Sequence, residues 1–314
     1  MKGLVIKSTG IICTVFFEGK NYNCRIKGKS RLDKNEFTNP VSVGDYVDFT
    51  YDHVNSIGFI EKVHDRKNYI IRKSVNLSHR GQVIASNIDQ AMLMITIENP
   101  STSLNFIDRF LVQSSAYDIE TILVINKIDL VNDKTEMIKK RITKIYQEIG
   151  YRVLSISVKD DINIQTIKKN LKNKVTLISG HSGVGKSSLI NSIQPDLSIE
   201  IREISNYHKQ GVHTTTFSNM YSLKLGGYLI DTPGIKGLGL MDVNMDNLSK
   251  YFPEMLSASE CCKFNNCMHI NEPGCGVKKA LEEKKIATSR YQSYLSMLDN
   301  NSTYRKNNYE LWRQ

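Results

Sequence analysis

Residues Gly180-His181-Ser182-Gly183-Val184-Gly185-Lys186-Ser187 fit G-x-x-x-x-G-K-S/T, a loop that cradles phosphate. The apolar run Val175-Thr176-Leu177-Ile178 precedes it and reads as a buried strand. Ser188-Leu189-Ile190-Asn191 follows it and reads as a helix start. Glycines let backbone N–H groups turn inward around phosphate oxygens, and the helix N-terminus adds partial positive charge. Lys186 is placed to reach the β- and γ-phosphates, and Ser187 to hold Mg²⁺. A second set of chemical residues stands near the other end of the chain. Cys262, Cys267, His269 and Cys275 are spaced C-x4-C-x-H-x5-C, three thiolates and an imidazole suited to one tetrahedral Zn²⁺ per chain. Cys261 abuts Cys262, and spacing leaves either able to supply the first ligand.

The base is specified upstream of the phosphate loop. Thr121-Ile122-Leu123-Val124-Ile125 reads as a strand running into Asn126-Lys127-Ile128-Asp129, an N-K-x-D. Asp129 can accept both the N1–H and the exocyclic N–H of guanine, and adenine would leave that carboxylate unpaired. Asn126 would tie this loop to the phosphate loop, and the Lys127 stem would cover the base. Alone the four letters also fit a turn; beside a phosphate loop they point to GTP and GDP. Ser157, in Val153-Leu154-Ser155-Ile156-Ser157-Val158-Lys159, resembles a degenerate S-A-K loop at guanine O6. Asp231-Thr232-Pro233-Gly234 is a D-x-x-G. Asp231 would hold the single Mg²⁺ of the nucleotide through water, and the Gly234 N–H would sense the γ-phosphate.

The polar stretch between these last two sites, residues 196–216, is the expected switch I, a long loop of the kind that carries function. One of Thr214 and Thr215 should join the Mg²⁺ shell, and spacing does not decide between them. Ile235, Lys236, Gly237 and Leu238 follow Gly234, with no Gln among them to orient an attacking water. His213, beside the threonines, is the expected catalytic residue.

The order of these pieces implies a circular permutation. GTPases ordinarily run phosphate loop, switch I, D-x-x-G, N-K-x-D, S-A-K; here the last two come first. A permutation keeps the sheet when the new ends fall at an exposed loop. The cut falls after Gly234, so the γ-phosphate sensor runs straight into whatever follows.

The elements that must position these residues fall into three expected domains. Residues 1–73 read as five short alternating strands, an all-β barrel of OB type. This segment carries 13 Lys/Arg against 8 Asp/Glu, with Arg25, Lys27, Lys29, Arg31 and Lys34 close together, which suits phosphate contact with RNA. A linker is expected near Arg72–Gly81. Residues 74–240 alternate strand and helix, the pattern of a doubly wound α/β GTPase domain. Helices are expected at 104–116, 134–149 and 162–171. Residues 241–314 form the zinc-binding, mainly helical module, with an amphipathic helix over 280–298 and a polar tail.

The net charge of +10 over 314 residues suits a polyanionic partner. No apolar run approaches membrane-spanning length and the start is too quickly polar for a signal peptide, so a cytoplasmic protein without a membrane partner is expected. Cys13 and Cys24 sit in strand positions and read as core.

Taken together these segments resemble one family, the ribosome small-subunit-dependent GTPase A family of YjeQ/YloQ-type circularly permuted GTPases. G-V-G-K-S-S-L-I-N at 183–191, H-T-T-T at 213–216, D-T-P-G at 231–234, the Cys/His set and Arg290-Tyr291-Gln292-Ser293-Tyr294-Leu295 carry the resemblance over nearly the whole chain. His181 departs from it, where the family usually has Gln, at a loop position that contributes its backbone. The resemblance implies a monomeric late maturation or checkpoint factor bound to the small (30S) ribosomal subunit and its rRNA. It also implies hydrolysis of GTP to GDP and phosphate, stimulated by that subunit. Two other readings are an RNA-binding protein in which hydrolysis is only a timer, and a translation or tRNA-modification GTPase.

Overall fold

A computed structural model describes residues 1–27, 39–73, 81–200, 218–232 and 243–299. Strands β1 (Lys2–Ser8), β2 (Ile12–Phe17), β3 (Lys20–Ile26), β4 (Tyr46–Asp52) and β5 (Ile57–Val63) form the N-terminal barrel. Its order is β1-β2-β3-β5-β4, closed by β1–β4 pairing, with β3 and β5 parallel. Alternation explains the closure: Cys13, Val15, Cys24, Val47, Phe49 and Ile60 point inward and pack together, as expected of the two cysteines. Of the expected basic cluster, Arg25 and Lys27 lie on or beside β3; Lys29, Arg31 and Lys34 lie outside the described residues.

The expected linker near Arg72–Gly81 lies between two strands; its residues 74–80 are outside the described residues, and only Arg72, Lys73 and Gly81 of it belong to strands. Strands β6 (Tyr69–Lys73) and β7 (Gly81–Ser86) pair antiparallel. The pair is tied to the barrel by buried Asp45, which accepts from Ser42 N, Arg66 Nε and Ser86 Oγ at 2.6–2.8 Å. The Gln113 side chain donates to Ile71 O at 2.6 Å and ties it to the next domain.

That domain contains β8 (Gln90–Thr96), α1 (Leu104–Ala116), β9 (Glu120–Asn126), α2 (Asp133–Glu148), β10 (Arg152–Ser155), α3 (Ile164–Leu171), β11 (Val175–Ser179), α4 (Lys186–Ile193), β12 (Asn219–Ser222) and β13 (Tyr228–Asp231). The sheet runs β10-β9-β8-β11-β13-β12, parallel except for β12. Alternate strand residues face two cores. Leu93, Ile95, Leu123 and Ile125 meet α1 and α2, whereas Met92, Met94, Ile122 and Val124 meet α3 and α4. Burial on both faces is why β8 and β9 read as unbroken apolar runs. β12 also pairs with β1 at Lys7↔Asn219, so barrel and α/β sheet are one hydrogen-bonded surface.

The C-terminal module contains a 3₁₀ turn over Met245–Tyr251, then α5 (Pro253–Ser259), α6 (Gly276–Glu282) and α7 (Thr288–Leu298). The single helix expected over 280–298 is two. Lys284 adopts a left-handed φ of 58° that ends the first, and Ile286 is buried between them. Phe252, Met255, Val277, Tyr294 and Met297 pack with Val112 of α1, docking the module on the α/β domain.

Candidate functional site

Every parallel strand delivers its C-terminal end to the same edge of the sheet, where open α/β folds bind ligands. β11 ends there in the loop Gly180–Gly185, and Lys186 opens α4. Gly180 and Gly185 have φ of +149° and +96°; a Cβ on either would collide, with Met94 O and with the Asn126 side chain. The loop therefore packs closely against β8 backbone and the Asn126 side chain, which only glycine allows at these two positions. The Lys186 ammonium donates to Gly180 O at 2.8 Å and His181 O at 2.9 Å. Burial lowers its pKa, and the neighbouring Asp231 carboxylate works in the opposite direction.

Asp231 closes β13 beside β11, in register with Ile178. Burial pushes its carboxyl up to about 6, against the pull of the Lys186 charge. Its Oδ1 is buried with no hydrogen-bond partner among the described residues. A buried unpartnered carboxylate oxygen beside a phosphate loop suits a hydrated divalent cation. Thr232 Oγ1 donates to Ile178 O at 2.9 Å and holds the strand end in place.

The N-K-x-D loop caps β9. Buried Asn126 donates from Nδ2 to Val184 O at 2.8 Å and accepts from Val158 N at 3.3 Å, joining all three loops. Lys127 takes a left-handed φ of 62°, and its ammonium donates to Asn99 O at 2.6 Å. Ser157 Oγ donates to Asp129 Oδ1 at 2.7 Å and accepts from Asp160 N at 3.1 Å. The fully buried serine therefore orients the carboxylate rather than presenting a free hydroxyl. The His181 ring stacks on Phe106, with centroids 3.8 Å apart and planes at 30°.

The second site lies in the C-terminal module. One ligand atom from each of Cys262, Cys267, His269 and Cys275 lies within 4.8 Å of all the others. Zinc–sulfur bonds of ~2.3 Å in a tetrahedron place sulfurs ~3.8 Å apart, so the set fits zinc with little contraction. His269 turns Nδ1 toward Cys262 Sγ at 3.6 Å and Cys275 Sγ at 3.5 Å. Backbone N–H groups of Gly276 and Lys278 donate to the Cys262 and Cys275 sulfurs and orient them. Tyr291 and Tyr294 hydroxyls donate to the His269 and Met268 carbonyls, both at 2.7 Å, strapping the ligand loop to α7. Cys261 is exposed and outside the cluster, so Cys262 is the geometric choice.

Comparison with known proteins fits this geometry. The family model for the RsgA GTPase matches residues 63–241, and that for the RsgA N-terminal domain matches residues 2–60. The chain belongs to the RsgA GTPase family. A broader model, described as a 50S ribosome-binding GTPase, matches residues 175–312. The small ribosomal subunit biogenesis GTPase RsgA of Flavobacterium psychrophilum is 52% identical over 98% of this chain and 96% of its own length. Its counterpart in Flavobacterium johnsoniae is 49% identical over 95% and 93%. Among solved structures, YjeQ from Thermotoga maritima aligns at TM-score 0.74 and 33% identity, covering 95% of this chain and 96% of that one. YloQ, a circularly permuted GTPase, aligns at 0.71 and 32%, covering 95% and 93%. The protein is accordingly a GTPase whose central domain is circularly permuted.

For a member of the RsgA family, the structure brings Asn126, Lys127, Asp129, Ser157, Gly180–Ser188 and Asp231 to one edge of the sheet. His213, Thr214, Thr215 and Gly234 lie outside the described residues. Asn99 and Phe106 are the neighbours that sequence reading passed over. The Asn99-Pro100 pair marks a turn just past β8, and that signal could have drawn attention to Asn99. Phe106 reads only as one apolar face residue among several.

Proposed function

We propose that this GTPase is a late maturation or checkpoint factor of the small ribosomal subunit, hydrolysing GTP to GDP and phosphate when bound there. The observation that carries the reading is the joined site: Asn126 fastening the base loop to the phosphate loop, in a chain whose full-length relatives are named for small-subunit biogenesis. Asp129 selects guanine, held by Ser157; Lys186 meets the β- and γ-phosphates; Ser187, Asp231 and either Thr214 or Thr215 hold one Mg²⁺. Bound Mg²⁺ supplies charge neutralisation across those phosphates. Gly234 senses the γ-phosphate and His213 positions water. Residues 1–73 contact rRNA, 74–240 bind and hydrolyse nucleotide, and 241–314 hold one structural Zn²⁺ through Cys262, Cys267, His269 and Cys275. The protein acts as a cytoplasmic monomer; no helix among the described residues is long and apolar enough to cross a membrane.

The match to a 50S ribosome-binding GTPase model favours a second reading, docking on the large subunit. Pelleting with purified subunits separates the two. Protein loaded with a non-hydrolysable GTP analogue should sediment with small subunits and not with large ones. Sedimentation with large subunits alone would overturn the proposal.

A further inference from the structure

Helix α1 touches the nucleotide site and the C-terminal module at once. Toward the nucleotide site, the helix and the loop before it make one contact each. Phe106 stacks on His181 of the phosphate loop, and the loop leading into α1 offers Asn99 O to Lys127 of N-K-x-D at 2.6 Å. Toward the module it makes polar contacts with α7. Asn105 Nδ2 donates to Ser296 Oγ at 2.9 Å, Arg109 Nη2 to Ser296 O at 3.3 Å, and Asp108 Oδ1 accepts from Arg290 Nη1 at 2.6 Å. At 3.6 residues per turn, Phe106 and Asp108 project ~160° apart, so the helix stands between its two partners.

The grip on the module side is a buried charge cluster. Arg290 is 1% exposed, and it also pairs with both oxygens of Glu254 at 2.7 and 3.2 Å. Its guanidinium lies 4.5 Å from the Phe252 ring centroid. Tyr146 of α2 donates to the same Asp108 oxygen at 2.7 Å. Such a cluster has one good arrangement, because displacing any member leaves a buried charge without its partner. The next residue, Tyr291, straps the His269 loop of the metal cluster, so α7 carries the module's geometry to Arg290. A helix is stiff along its length, so a displacement imposed at Asp108 must reappear at Phe106, and the loop that carries Asn99 is anchored at the start of the same helix.

We propose that the C-terminal module positions the phosphate and base loops through α1, with Arg290 as a positioning residue for the nucleotide. Arg290 touches neither loop; it acts through Asp108, then Phe106 and His181. The reciprocal follows from linkage: whatever shifts the module changes nucleotide affinity by the same factor as nucleotide shifts the module.

The test uses the zinc-loaded full chain and fluorescently labelled GDP. Arg290→Lys keeps the charge and loses the planar fork. It should speed GDP release by about fivefold or more while zinc content stays at the wild-type level. In a double-mutant cycle with His181→Ala the two effects should be non-additive, since both act through one helix. Release within about twofold of wild type, or strict additivity, would overturn the proposal even if Arg290→Lys lowers the melting temperature. Should Arg290→Lys lose zinc, Asn105→Ala with Arg109→Ala removes the Ser296 contacts and leaves Arg290 in place. Faster GDP release with zinc retained then supports the proposal, and unchanged release defeats it.

Discussion

Asp129 and Asp231 are carboxylates held for opposite purposes. Asp129 receives the Ser157 hydroxyl on one oxygen, which restrains its plane, as the proposed bidentate meeting with guanine requires. Asp129→Asn replaces one acceptor by a donor, so GTP affinity should fall ~100-fold or more and xanthosine nucleotides should gain in competition assays. An unchanged preference for GTP would remove guanine recognition from this residue. Asp231 instead has a buried Oδ1 with no hydrogen-bond partner among the described residues, and burial raises its pKa to about 6. The folded chain then binds this proton more tightly than the unfolded chain, whose aspartate titrates near ~3.9, so without metal its contribution to stability falls as pH rises between the two values. Metal needs the ionised form. The strengthening of GDP binding by Mg²⁺ should therefore weaken about tenfold from pH 7 to pH 5, with little change above pH 7. The same titration on Asp231→Asn should be flat across that window, and a flat wild-type profile would contradict the assignment. At this scale the sequence was readable wherever a backbone geometry demanded particular residues. Gly180, Gly185 and Lys186 are examples, because few other letters close that loop. The buried role of Ser157 was not readable, since a hydroxyl facing O6 and one facing Asp129 look alike in a string.

Elements were legible where periodicity persisted and illegible where tertiary contacts set the ends. α1 spans the residues its spacing predicts, capped by Ser103, whose hydroxyl accepts from Phe106 N. The pair β6–β7 was missed because Tyr69-Ile70-Ile71 and Val83-Ile84-Ala85 are short runs with no tight-turn signal joining them, held in place by contacts to Asp45 and Gln113. Likewise the break between α6 and α7 comes at Lys284, a residue with no intrinsic preference for left-handed backbone. The metal loop has little regular structure of its own among residues 260–275, so the metal is expected to supply its folding energy. Elemental analysis should find one zinc per native chain. Cys267→Ala should lose it and render residues 243–299 sensitive to protease while the barrel stays resistant. A native chain without zinc, or a protease-resistant variant, would contradict the site.

The three domains form a single molecule through two seams of different chemistry. At one, β1 joins β12 at Lys7↔Asn219, one strand away from Asp231, so the barrel is hydrogen-bonded to the strand that directly follows the switch I stretch. At the other, the Arg290 cluster and the packing of Val112 fasten the C-terminal module to α1. The permuted order makes both seams intelligible. In the chain, the proposed γ-phosphate sensor Gly234 precedes the module and the proposed switch I stretch precedes the strand at the barrel edge, so on that proposal each outlying domain is next in chain to a nucleotide-sensing segment. The sequence disclosed the permutation from motif order alone; it could not disclose the seams, which depend on residues distant in the chain meeting in space. On the proposed function, nucleotide turnover in this protein is governed by the small ribosomal subunit. GTP hydrolysis measured with and without isolated small subunits tests it most directly, with His213→Ala alongside. The prediction is slow turnover alone, a rise of about tenfold or more with small subunits, and loss of most of that rise in His213→Ala with GTP affinity retained. Turnover that is the same with and without small subunits would overturn the proposed function.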